Sequence, residues 1–106
     1  MPREPDWYDV GAADALQDDG VVAGVAGGIQ VAVFRVGNSL HALHDLCSHG
    51  QARLSDGFVE NGCVECPLHQ GLVEIATGLP RSSPIVNPVQ TYRVRVVGGR
   101  IEVSVR

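Results

Sequence analysis

Cys47-Ser48-His49 and, after a gap of sixteen residues, Cys66-Pro67-Leu68-His69 set two thiols and two imidazoles in two tight pairs, C-x-H and C-x-x-H. Sulfur and nitrogen donors in that number and closeness read as a metal site. Their order matters as much as their number. Each pair contributes one sulfur and one nitrogen, whereas a zinc finger of the Cys2His2 kind groups cysteine with cysteine and histidine with histidine. The mixed pairing points to two irons with unlike ends and leaves zinc as the alternative. Ligands two or three residues apart converge only where the chain turns sharply, which calls for small residues beside them. Gly50 follows the first histidine, Gly71 comes two after the second, and Pro67 restrains the second loop while presenting no amide. Backbone amides from Gly50 through Gln51 to Ala52, and from Leu68 through Gln70 to Gly71, are candidates to point at inorganic sulfur.

Outward from these loops the chain reads as β-structure. Val21-Val22-Ala23, Gly27-Gly28 and the run Ile29 to Phe34 predict a hairpin, and Gly37-Asn38 turns the chain into Leu40 to Leu43. Near the other end Tyr92, Val94 and Val96 alternate with Thr91, Arg93 and Arg95. Gly98-Gly99 then turns into Ile101, Val103 and Val105, alternating with Glu102 and Ser104, so a second hairpin with one apolar face is expected. Only Gly11 to Asp19 has helical composition, enough for one or two turns. Residues 45 to 88 hold all three cysteines and four of the six prolines, so a loop-rich insert carries the chemistry. Within it Asp56-Gly57 and Asn61-Gly62 bracket a small hairpin of Phe58 to Glu60 with Cys63 to Glu65.

Composition narrows the function classes. At 106 residues and 44% hydrophobic, one domain spanning 1–106 is expected, close to the size where a core needs help from a bound group. The opening MPREPDWYDV does not read as a signal peptide, and the longest apolar stretch, Val21 to Ile29, is far below the roughly 20 residues of a membrane span. The net charge of -4, with scattered arginines as the only basic side chains, argues against nucleic acid. Two cysteines claimed by metal leave Cys63 without a disulfide partner, which favours a reducing compartment, the cytoplasm. His41 and His44, on the strand entering the first loop, are expected to be ordinary side chains. Cys63-Val64-Glu65-Cys66 is formally a thiol-exchange C-x-x-C, but it falls in an extended stretch whose two sulfurs diverge, and Cys63 is expected to be buried and inert.

Taken together, Asp45-Leu46-Cys47-Ser48-His49, Leu54-Ser55-Asp56-Gly57, Glu65-Cys66-Pro67-Leu68-His69 and Thr77-Gly78 resemble a Rieske ferredoxin, over essentially the whole chain. The resemblance implies an all-β Rieske fold, stacked antiparallel sheets with a cluster-binding subdomain inserted at about 45–88. It also implies one [2Fe-2S] cluster, with Cys47 and Cys66 on one iron and His49 and His69 on the other. Pro84 is matched to the family's third loop, with Pro88 as runner-up. Rieske proteins that oxidise quinols carry a disulfide across the loops where this chain has Ala52 and Leu68, and a serine where it has Gly71. Fewer donors to the cluster place the expected potential toward the lower end of the Rieske range, about -150 to +300 mV.

By the same resemblance the chain is a one-electron carrier and not an enzyme. The resemblance implies that it takes electrons from a flavin-dependent NAD(P)H reductase and passes them to a terminal Rieske oxygenase that hydroxylates an aromatic ring. No membrane or nucleic-acid partner is expected, and a monomer is. The implied docking patch is His49, His69 and their neighbours Gln51, Leu68, Gln70 and Pro84. Two alternatives stand beside this reading: the small subunit of an assimilatory nitrite reductase, and a zinc-bound structural module.

Overall fold

The computed structural model describes residues 6–46, 52–67, 70–82 and 87–105. Nine strands are present among them: β1 Tyr8–Ala12, β2 Val21–Ala26, β3 Ile29–Val36, β4 Ser39–His44, β5 Phe58–Glu60, β6 Cys63–Glu65, β7 Leu72–Glu74, β8 Thr91–Val97 and β9 Arg100–Ser104. Six form one antiparallel sheet in the order β1-β9-β8-β4-β3-β2, and the remaining three form a small sheet in the order β5-β6-β7. The all-β expectation holds, and so does the insert between two β-rich ends. Both predicted two-glycine turns are there: Gly27-Gly28 (φ 57 and 83) and Gly98-Gly99 (φ 57 and 76) take positive φ at both central positions, the conformation that matches the twist of a tight hairpin.

The large sheet curls so that its two halves face one another. Val22, Ala26, Val31, Val33 and Ala42 from β2–β4 share a core with Tyr8, Val10, Tyr92, Ile101 and Val103 from β1, β8 and β9. The approach at the seam is close, since a Cβ on Gly24 would stand 3.0 Å from that of Val10. A second core lies on the other side of β3 and β4. There Ala32, Phe34 and Leu43 meet Leu54, Val64, Cys66, Val73, Ile75 and Val89. Val31, Ala32, Val33 and Phe34 are therefore all fully buried, because β3 serves one core with its odd positions and the other with its even ones. That explains a continuous apolar run in an antiparallel strand, where one face is usually wet.

Three features depart from the pattern in the sequence. Where helical turns were predicted over Gly11 to Asp19, the chain completes β1 and makes one 3₁₀ turn at Ala13–Ala15. β1 forms by pairing with β9, as Tyr8↔Val103 and Ala12↔Arg100, with a bulge between Asp9 and Gly11. β7, not foreseen, pairs with β6 through Val64↔Val73. In the terminal hairpin Val96 (49%) and Val97 (50%) are exposed, whereas Ser104, placed outward by alternation, is buried with its hydroxyl unpartnered among the described residues. At the turn end only the β8 side leaves the shared core, since Ile101 on β9, the partner of Val96, is fully buried in it.

The β1–β9 seam carries a bidentate ion pair, Arg100 Nε and Nη2 each donating to Asp9 at 2.9 Å. Those hydrogen bonds hold the Asp9 carboxyl below its ordinary 3.8, with the guanidinium's charge and the Gly11 amide adding to the effect. A carboxyl whose folded-state pKa is depressed contributes stability that is whole above the unfolded value and lost as pH falls through the folded one. The pair is exposed, so screening keeps its contribution small. Following Asp9 by NMR from pH 6 to 2 should give a midpoint below 3.8 that rises in Arg100→Met; an unmoved midpoint in that variant would remove Arg100 as the cause.

Candidate metal centre

The second ligand loop is a tight connection between β6 and β7. Cys66 follows β6 directly, is fully buried, and belongs to the same apolar core as Val64 and Val73. Its amide donates to Gly71 O at 2.9 Å, and its carbonyl accepts from the Gln70 amide at 2.8 Å, so the loop is closed at the neck. Gln70 takes a left-handed conformation (φ 61), uncommon for a residue with a side chain and concentrated at functional sites. The bond to Cys66 O also spends the Gln70 amide that was a candidate for inorganic sulfur. Closure of the loop claims it first.

The first ligand loop is clamped at its base. Asp45, 1% exposed, ends the run from β4, and its amide donates to Gln30 O at 2.9 Å. Its Oδ1 accepts from the Ser55 amide at 2.8 Å and its Oδ2 from Ser55 Oγ at 2.7 Å, while its carbonyl accepts from Leu54 N at 2.6 Å. A bridge between Leu46 and Arg53 completes the neck. A third loop starts against the second: Arg81 N donates to Leu72 O at 2.7 Å, and Leu72 N donates to Ser82 Oγ at 2.9 Å. The necks of the three loops thus converge on the core that buries Cys66.

Of the predicted ligands, Cys66 is placed, and Cys47, His49 and His69 lie outside the described residues, as do Gly50, Gln51, Leu68 and Pro84. Ala52 packs, half-buried, against the core around Cys66, Gly71 is buried, and Gln70 is exposed. His41 and His44 both sit on β4, the strand entering the first loop, with His44 Nδ1 3.4 Å from the Tyr92 hydroxyl. Burial raises the Tyr92 phenol above its ordinary 10.0. Cys63 corrects the sequence reading in one respect. It is half-buried, not buried, and lines a shallow cavity of about 210 Å³ on the outer face of β6. Cys66 faces the core, so the two sulfurs of C-x-x-C diverge as extended geometry requires. Asp45 and Ser55 stand in the stretches that carry the family resemblance, but their partnership spans ten residues and leaves no local periodicity that would show it.

The donor chemistry fits an iron-sulfur group. A free thiol, fully buried at the head of a hydrogen-bonded loop, has no disulfide partner among the described residues. Metal ligation would give such a sulfur a role. All-β architecture, an inserted three-stranded sheet and loops closed around a buried cysteine define a Rieske-type iron-sulfur domain. The chain belongs to the Rieske [2Fe-2S] domain family, which matches residues 6–93. It is 56% identical over 100 residues to the anthranilate 1,2-dioxygenase ferredoxin subunit of Burkholderia cepacia, covering 94% of this chain and 93% of that one. Among solved structures it is similar to the ferredoxin of carbazole 1,9a-dioxygenase from Nocardioides aromaticivorans IC177, with TM-score 0.89, 36% identity and coverage of 94% and 98%. A complex of reduced oxygenase and oxidized ferredoxin in carbazole 1,9a-dioxygenase includes a chain matching at TM-score 0.87 and 35% identity, with coverage of 95% and 94%. No helix among the described residues is long and apolar enough to cross a membrane.

Proposed function

We propose that this chain is a one-electron carrier, the ferredoxin component of an aromatic-ring-hydroxylating dioxygenase system, built as a single domain over residues 1–106. The observation that carries the reading is Cys66, a free thiol fully buried at the head of a closed loop, in a chain matched nearly end to end by such ferredoxins. Cys47 and Cys66 would hold one iron of a [2Fe-2S] cluster and His49 and His69 the other. When bound, the cluster supplies reversible uptake of a single electron. The protein's own part is to keep the Cys66 sulfur out of water and to tie the loop necks down through Asp45, Gln70 and Ser82. Rigid necks limit how far the ligand loops must rearrange when the charge between them changes.

The electron donor is a flavin-dependent NAD(P)H reductase and the acceptor a terminal Rieske oxygenase, met in turn through an interface of under about 1,200 Å², the size of weak electron-transfer encounters. The protein works in the cytoplasm. An anaerobic redox titration of purified protein, read by EPR and visible absorption, tests the reading. A Rieske signal toward the lower end of about -150 to +300 mV supports it. A signal only at the upper end would point to a quinol-linked role instead. Colourless, zinc-loaded protein would end the redox reading, and a siroheme enzyme as the acceptor would assign the chain to nitrite reduction.

A further inference from the structure

The small sheet buries one face and, among the described residues, leaves the other unpartnered. Val59, Val64 and Val73 point into the core, and the alternation that puts them there turns Phe58, Glu60, Cys63, Glu65 and Leu72 outward. Phe58 is 74% exposed, the largest exposure of any big apolar side chain among the described residues. It borders the cavity of about 210 Å³ that Glu60, Asn61, Cys63, Glu65 and Leu72 also line. Glu60 and Glu65 take part in no ion pair among the described residues, whereas Glu74, on the same face opposite Cys63, is bound to Arg81 at 3.0 Å. Of the other described arginines, four lie on β3, β8 and β9, where Arg95 and Arg100 are paired with Glu102 and Asp9, and Arg53 precedes the 3₁₀ turn Leu54–Asp56. The face is therefore acidic around one exposed aromatic ring.

Its position matters more than its composition. Phe58 pairs with Glu65 and Glu65 with Leu72, so these three form the row of the sheet nearest Cys66 and Gly71. Any protein seated on this row also meets the neck of the second ligand loop. We propose that the outer face of β5–β7 is a docking surface for the terminal oxygenase, extending the contact at the loop ends down the sheet. The occupant presents arginine or lysine to Glu60 and Glu65, and an apolar surface to Phe58. An exposed aromatic beside a pocket and ringed by charge has the makeup of an interface anchor, and the unpaired carboxylates supply steering and register. The oxygenase, not the reductase, is the occupant chosen because a similar ferredoxin is held in complex with its oxygenase. The proposal rests on the electron-carrier reading above.

The test uses cluster-loaded protein, reduced anaerobically and mixed in a stopped-flow instrument with increasing oxidised oxygenase from the Burkholderia cepacia anthranilate 1,2-dioxygenase system. Phe58→Ala and Glu60→Lys should each raise the half-saturating oxygenase concentration about tenfold, the effect of losing an interface anchor, while the limiting rate and the cluster's potential stay at wild-type values. Glu60→Lys should also flatten the dependence on ionic strength. In the loaded protein Cys63 is the one cysteine not assigned to iron, and bound oxygenase should slow its alkylation by iodoacetamide. Unchanged half-saturation in both variants would overturn the proposal and leave the carrier reading standing. Slowed reduction by the reductase with normal transfer to the oxygenase would overturn the choice of occupant. A wild-type protein that holds its cluster yet reduces no oxygenase would remove both.

Discussion

Gly57→Ala should cost about 4 kcal/mol, among the largest losses available to a single substitution in this chain. Gly57 has ordinary extended angles (φ -89, ψ -175), so the constraint is space and not backbone preference. A Cβ there would overlap the carbonyl oxygen of Glu65, with the Leu54 carbonyl oxygen 3.2 Å away. Both obstacles are backbone, and neither can rotate aside. Relief requires moving the 3₁₀ turn Leu54–Asp56 away from β6, which breaks the Gly57–Leu54 hydrogen bond of 2.9 Å or the Phe58↔Glu65 pairing. A domain of this size holds about 5–15 kcal/mol in all, so the variant should be marginal without metal. Because the displaced strand ends at Cys66, iron content should fall with it. Urea unfolding of the metal-free protein together with iron per chain makes the check; a loss below about 1 kcal/mol with full iron would show that the turn and strand separate without penalty.

Asp45→Ala should cost about 3 kcal/mol and loosen the first ligand loop. The substitution strands the Ser55 amide and hydroxyl, two part-buried donors whose acceptors are the two carboxylate oxygens at 2.8 and 2.7 Å. An unsatisfied buried donor costs about 1–3 kcal/mol. Asp45→Asn provides the contrast. Its carbonyl oxygen can keep the Ser55 amide and its NH2 can donate to Ser55 Oγ, so the clamp survives while the charge goes. Alanine is expected to speed iron loss to a chelator and broaden the reduced EPR signal. Asparagine should retain the cluster and shift chiefly the potential, upward, since a negative charge near the site opposes reduction. Equal iron loss in the two variants would mean that the charge matters and the clamp does not.

Gly57 and Asp45 act through the same neck. Asp45 ties the end of β4 to Leu54 and Ser55, and Gly57 lets that same turn lie against β6. The two ligand loops are thus referenced to each other through one 3₁₀ turn, and effects at the two positions should not add.

How much of this could be foreseen differs from element to element. The β2–β3–β4 meander, the β8–β9 hairpin and the β5–β6 hairpin were readable because each joins neighbours through a short turn whose residues tolerate positive φ. The donor pattern was legible because iron-sulfur chemistry demands sulfur and nitrogen donors at close spacing, and a spacing is a property of the chain; of those donors Cys66 alone falls among the described residues. β1 and β7 were not, since a strand of five residues with a bulge and one of three carry little periodicity until a partner supplies the hydrogen bonds. The left-handed backbone of Gln70 left no sign in the sequence, because closing onto Cys66 O selects the position and residue preference does not.

The chain alone therefore settles its class of fold and the kind of site it carries, through local hairpins and a donor pattern that survive in any conformation. Folding in three dimensions settles which thiol is buried and which half-open, which carboxylate clamps a loop and which stands ready for a partner. Cys63 and Cys66 are three residues apart and Glu65 and Asp45 are chemically alike. Only packing against β3 and pairing across the sheets gives each a core, a hydrogen-bond donor or open water to face.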